Sequence, residues 1–225
     1  MKLTFSRQPG IFQLKADELA KNQKFAAVVA LTRTAIAVKD KEVAIMRQVF
    51  DRPTPYALNG LRVKPATKQD PNALVDFKDF GSVPAGRYLI PEVEGGNRRQ
   101  KSFERKIGSY VVPGKALPLD QYGNVKPATF VKILSQLKLS SDPTANASKS
   151  KRSASKRKKE TYFLSQDKRM VMQRVGRNVA PVLILVDQPS YRKRYPFYET
   201  ALNVSVKQFE IEFDKAFAQA MRTAR

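Results

Sequence analysis

From Ala16 to about Phe50 the chain contains no glycine and no proline, and it is rich in Ala, Lys, Glu and Leu. A stretch of that length and composition is sustained only as one long helix. Leu19, Ala26, Val29, Ile36, Val43 and Met46 recur at helical spacings and predict an apolar stripe for core packing. Asp51-Arg52-Pro53-Thr54-Pro55 ends the helix, because each proline disfavours helical backbone in the residue before it.

Two short alternating runs follow, Leu61 to Pro65 and Ala73 to Phe77. With the turn residues Lys68 to Asn72 between them they predict an antiparallel hairpin with one buried face. Tyr88-Leu89-Ile90-Pro91 reads as a short extended piece, and Gly95-Gly96-Asn97 as the opening of a basic helix through Lys106. Val112 to Asn124 is rich in turn formers and predicts an ordered loop, after which Pro127 suits the first turn of a short apolar helix. Thr161 to Leu164, Met170 to Val175 and Pro181 to Asp187 predict three strands that extend the earlier sheet. From about Pro196 a second long helix is expected, with Tyr198, Leu202, Val206, Phe209, Phe213, Phe217 and Met221 on a heptad-like face. The fold class expected is α+β: a small mixed or antiparallel sheet flanked by a long N-terminal and a long C-terminal helix, in a single domain over residues 1–225.

Charge narrows the function. Lys and Arg number 42 against 20 Asp and Glu, a formal net charge of +22 that seeks polyanions or acidic protein surfaces. Residues 140–160, SSDPTANASKSKRSASKRKKE, carry almost no bulky apolar side chains and predict a mobile or partner-ordered basic loop. Within it Lys149, Lys151, Arg152, Lys156, Arg157, Lys158 and Lys159 are candidate contacts for DNA phosphates or for an acidic partner; such a run gains affinity without sequence specificity. Arg192, Lys193 and Arg194, between Tyr191 and Tyr195, form a second basic group. It either stacks on bases and meets phosphates, or links the last strand to the last helix with its tyrosines packed and its cations outward or paired.

Cysteine and histidine are both absent, which removes the ordinary zinc ligands, the thiol nucleophile and the usual general base near neutral pH. Glu104-Arg105-Lys106 with Asp76 or Asp79 superficially resembles the acidic and lysine set of a magnesium-dependent nuclease, but residues two apart on a helix point to different faces. Glu92 and Glu94 could hold a hard cation, though basic side chains are the commoner partners in a chain this cationic. No catalytic, cofactor-binding or metal site is expected. The N-terminal MKLTFSRQPG lacks an apolar signal region and the longest apolar run is PVLILV, so no membrane segment is expected and synthesis in a cytoplasm is.

The order of several segments resembles the prophage minor tail proteins of the Z, or tail-completion, type. They are Ala30-Leu31-Thr32-Arg33-Thr34-Ala35, then Arg52-Pro53-Thr54-Pro55 leading into Leu61 through Lys68, Gly95 through Glu104, Pro118 through Asn124, and Pro181 through Tyr198. Together they span most of the chain. The resemblance implies a non-enzymatic virion subunit at the head-to-tail junction of a tailed bacteriophage, self-associated in a ring. Its partners would be portal, adaptor or head-completion proteins on one side and tail tube or terminator proteins on the other; the net charge, apart from the resemblance, adds sequence-independent contact with packaged DNA as an expectation. The alternative is a nucleic-acid-binding protein of ribosomal or nucleoid type.

Overall fold

The computed structural model describes residues 11–81, 83–147 and 161–223, with side chains from Ala16 onward. In chain order its elements are helix α1 (Ile11–Val49), α2 (Pro55–Leu58), strands β1 (Leu61–Lys64) and β2 (Leu74–Phe77), α3 (Gly86–Glu94), β3 (Gly96–Asn97), α4 (Ser102–Ile107), β4 (Tyr110–Pro113), α5 (Pro127–Gln136), β5 (Thr161–Leu164), β6 (Met170–Val175), β7 (Asn178–Val186), β8 (Ser190–Tyr191) and α6 (Phe197–Thr223). The chain is α+β, with a long helix at each end and small antiparallel sheets between. It divides into two compact units, one of residues 1–50, 55–86 and 195–225, the other of residues 51–54 and 87–194.

The first unit pairs α1 with α6 in antiparallel fashion. Asn22 of α1 meets Met221 of α6, and Arg33 meets Glu212 at 3.5 Å, so the partner's number falls as α1 advances. The line that α1 buries is Ala26, Ala30, Thr34, Val38, Glu42 and Met46, at a constant spacing of four, and α6 answers with Ala216 and Ala220. Small residues on that line let two helices approach closely, so the larger side chains are turned to the flanks. The expected stripe is thereby corrected: Ala26 and Met46 are buried, but Leu19 and Ile36 are exposed. The expected antiparallel hairpin forms, with Leu61 opposite Phe77 through Lys64 opposite Leu74. It is tied to α1 by Thr32, whose hydroxyl accepts from the Ala66 amide at 3.1 Å and donates to the Val28 carbonyl at 3.0 Å. Phe50, Tyr195, Phe197 and Phe77 close that end in a chain of ring contacts, 4.9 to 5.8 Å between centroids.

The second unit is built on a four-stranded antiparallel sheet in the order β4-β7-β6-β5. Leu117, Ile133, Tyr162, Val171, Val182 and Leu183 form its core, and α5 is held to β5 by the Tyr162 amide donating to Gln136 at 2.8 Å. Strands β5, β6 and β7 therefore do not extend the hairpin; they join β4, which the turn-rich sequence had concealed. Four residues are too few to show a period, and Pro113 is tolerated because β4 is an edge strand. Pro181 lies in a central strand, where a register shift between Val171 and Met172 gives it a place opposite Met172.

Gly114 follows β4 so closely against β7 that a Cβ there would stand 2.7 Å from the Pro181 carbonyl oxygen. Gly114→Ala is expected to destabilise this unit by about 1–3 kcal/mol through forced backbone displacement, read as a lower urea midpoint.

Three further expectations are corrected here. Tyr88 to Pro91 lies inside α3 despite the proline, because Leu89 and Val93, four apart, are both buried by helical backbone. Gly95, at φ 75°, ends that helix with its amide on the Pro91 carbonyl. The basic helix is shorter than expected: Gly96–Asn97 pairs with β8, and α4 begins only at Ser102. Residues 140–147 are ordered against α5, with Asp142 capping a turn at Pro143–Ala145 and Ser135 donating to the Ala145 carbonyl at 2.6 Å. The rest of the expected basic loop, 148–160, lies outside the described residues. Among the described residues no helix is long and apolar enough to cross a membrane.

Candidate interaction surfaces

Lys149, Lys151, Arg152, Lys156, Arg157, Lys158 and Lys159 all lie outside the described residues. The second basic group is described. Arg194 is held by Glu92: its guanidinium makes a forked pair with the carboxylate and its amide donates to the Glu92 carbonyl at 3.0 Å. That contact, made foremost by the side-chain hydrogen bonds, holds the Arg194 pKa above its ordinary value. Arg192 and Lys193 are exposed, while Tyr195 is buried. The group thus links strand to helix, with one cation paired and two presented outward.

Charge is unevenly shared. The unit of residues 51–54 and 87–194 contains 25 Lys and Arg against 9 Asp and Glu, a surplus of 16 out of the chain's 22. On the sheet face away from the core, Arg174 lies over the Phe163 ring at 5.3 Å, and farther along the same face Ile184 and Val112 are exposed. A cation stacked on an aromatic, on a face with exposed apolar side chains, offers contacts to phosphate, base or protein alike.

The acidic residues that suggested nuclease chemistry are occupied elsewhere. Glu104 is fully buried at the start of α4. Arg98 reaches it through two hydrogen bonds of 2.6 and 2.5 Å, and the amides of Lys101 and Val111 donate to it at 2.7 and 3.0 Å. Burial alone would raise the Glu104 pKa, but Arg98 and the two amides outweigh it and hold the carboxyl below its ordinary value. The Arg98 guanidinium in turn lies 4.8 Å from the Tyr110 ring centre, and Tyr110 donates to the Arg98 carbonyl. Asp76 and Asp79 both pair with Arg62. Glu92 and Glu94 sit on a helix rather than an extended strand, and Glu92 is committed to Arg194. Among the described residues no group of three or more Asp and Glu is placed to hold a metal ion.

The largest feature that sequence reasoning did not anticipate is on α6. Tyr198, Leu202 and Val206 are 64%, 65% and 69% exposed, and Phe209 joins them on the same helical face. Further along that face Ala216 and Ala220 are buried against α1, so the stripe is covered at one end and open at the other. Beside the open end a groove of about 550 Å³ runs between α6 and α1, floored by Leu31, Ala35 and Val38 and closed at one side by Ala73 and Val75 of the hairpin region. Thr34 lines it with a buried hydroxyl that makes no hydrogen bond, and Glu210 stands at its rim. The heptad-like spacing on α6 was visible in sequence; which end of it α1 would cover was not.

Within the same unit Glu42 is fully buried on α1. Its carboxylate makes no hydrogen bond of ordinary geometry, and the buried Tyr195 hydroxyl is the nearby polar group that acts on it. Burial pushes the Glu42 pKa up to about 7 against the lowering influence of that hydroxyl. Tyr195 is raised as well, first by its own burial and then by Glu42.

No family model, no curated protein and no solved structure matches this chain.

Proposed function

We propose that the chain is a structural subunit of a tailed-bacteriophage virion, of the tail-completion or neck kind, which acts by docking to copies of itself and to portal-side and tail proteins. The observation that carries this reading is the open end of the α6 stripe. Three large apolar side chains, each about two-thirds exposed, stand in line beside an apolar groove on a long, well-supported helix. Scattered exposed apolar residues need no explanation, but a contiguous stripe beside a groove marks a surface that is covered in the working assembly. The resemblance of the segment order to tail-completion proteins points the same way.

The concentration of charge on one unit favours a second reading, a sequence-independent nucleic-acid-binding protein, in which the cationic unit neutralises phosphates. Localisation separates the two. An antibody against the folded protein, applied to purified, nuclease-treated particles and imaged, is expected to label the head-to-tail junction. Absence from intact and disrupted particles, with the protein recovered on nucleic acid in lysates, would sink the structural reading and favour the second.

A further inference from the structure

We infer that the groove between α6 and α1 receives residues 1–10 of a second copy of the chain. This deepens the assembly reading and rests on it in one respect, that copies of the chain meet.

The groove sets the chemistry of its occupant. Its floor is aliphatic, its buried Thr34 hydroxyl makes no hydrogen bond, and Glu210, the one charged side chain among the residues that line it, makes that margin acidic. The occupant should therefore bring apolar anchors, a polar backbone group for Thr34, and flanking cations. A symmetric pairing of two α6 stripes is disfavoured, since antiparallel helices juxtapose like flanks and would set the acidic margins against each other. Of the segments outside the described residues, 148–160 offers cations but no Leu, Ile, Val, Phe or Met. Residues 1–10 offer both kinds of group: Leu3 and Phe5, separated by one residue, with Lys2 and Arg7 on either side. An extended segment places Leu3 and Phe5 on one face.

The two anchors cannot both enter the chain's own groove. From Ile11 to Leu31, the first groove residue on α1, a continuous helix rises about 30 Å. Six residues of extended chain carry Phe5 at most about 21 Å from Ile11. Phe5 therefore enters a neighbour's groove; each copy both gives an arm and receives one, so the exchange closes as a reciprocal dimer or propagates into a ring or a filament.

The chain has no cysteine, so introduced thiols are the only ones to react. Full-length Ser6→Cys and Ser205→Cys proteins, which keep both anchors, mixed in equal amounts and treated with a short bismaleimide, are expected to give a covalent dimer, and the double variant a dimer or, where the exchange propagates, a ladder of higher species. Excess synthetic peptide of residues 1–10 should suppress both. Wild type that self-associates in light scattering, with neither a dimer nor a ladder in the cross-linked samples, would overturn the groove assignment while leaving the assembly reading standing. Cross-linking confined to single chains of the double variant would also overturn it, by placing the arm on its own groove. Wild type that stays monomeric at every concentration would overturn both the inference and self-association. As an independent check in the chain without introduced cysteines, Leu3→Asp with Phe5→Asp should abolish self-association while the far-ultraviolet circular dichroism stays unchanged.

Discussion

Arg98→Ala is expected to destabilise the unit of residues 51–54 and 87–194 by about 3–5 kcal/mol, the largest loss of any single change outside its apolar core. The magnitude follows from what remains: Glu104 stays fully buried, retains two amide donors, and loses the guanidinium that supplied its other two hydrogen bonds. Breaking a buried pair from one side costs more than deleting it, because an uncompensated charge is left in a poor solvent. The Tyr110 ring loses its cation in the same step. Acid offers a specific check. In the wild type the Glu104 pKa lies below its ordinary value, so its contribution is present above the unfolded-state pKa and is lost as pH falls through the folded-state one. Without Arg98 burial is opposed by the two amides alone, so the carboxyl pKa rises from its wild-type position and the acid-dependent loss of stability shrinks. The gap between variant and wild type should therefore narrow in urea titrations carried from pH 7 to pH 4. A constant gap would show that packing against Tyr110, and not charge, is what Arg98 supplies.

Glu104 also shows where sequence reading stops. A helical spacing places Glu104 and Lys106 on different faces, which is correct and uninformative, because the partner that matters is Arg98, outside the helix in an extended approach to it. A glutamate in the first turn of a helix, able to accept from the amide before the helix, is the local signal that was available. Elements whose character is written in their own residues were legible: both long helices, the hairpin, α5 and the strands from Thr161 onward. Elements decided by distant partners were not. Nothing local to Tyr110–Pro113 says that β7 will lie beside it, and nothing local to Gly86–Glu94 says that burying Leu89 and Val93 will outweigh an internal proline. The same limit applies to α6. Its apolar face is one continuous pattern in sequence, yet α1 covers the alanine end and leaves Tyr198, Leu202 and Val206 in the open. A covered stripe is core and an open one is exposed apolar surface, so what the pattern becomes is decided by the packing.

On α1 the line of small residues at a spacing of four passes through Ala26, Ala30, Thr34 and Val38 and then through Glu42, the one acid on it. Glu42→Gln is expected to stabilise the chain by about 3 kcal/mol above pH 8 and by little at pH 4.5, because one pKa unit of difference between states corresponds to about 1.4 kcal/mol. With its folded-state pKa pushed up to about 7 and an ordinary value of 4.5, Glu42 binds a proton in the folded chain across a window where the unfolded chain has released it. The folded state holds more protons there, so wild-type stability falls as pH rises from about 4.5 to about 7 and is level beyond. Glutamine preserves the volume and cannot ionise, so that slope should vanish. Tyr195→Phe provides the converse: it deletes the hydroxyl that lowers the Glu42 pKa, and the slope should extend to higher pH. Thermal unfolding of the three proteins at pH 4.5, 6 and 8.5 reads all of this. Parallel curves for wild type and Glu42→Gln would mean that the carboxyl finds water or a cation in solution, and that the seam between α1 and α6 opens around it.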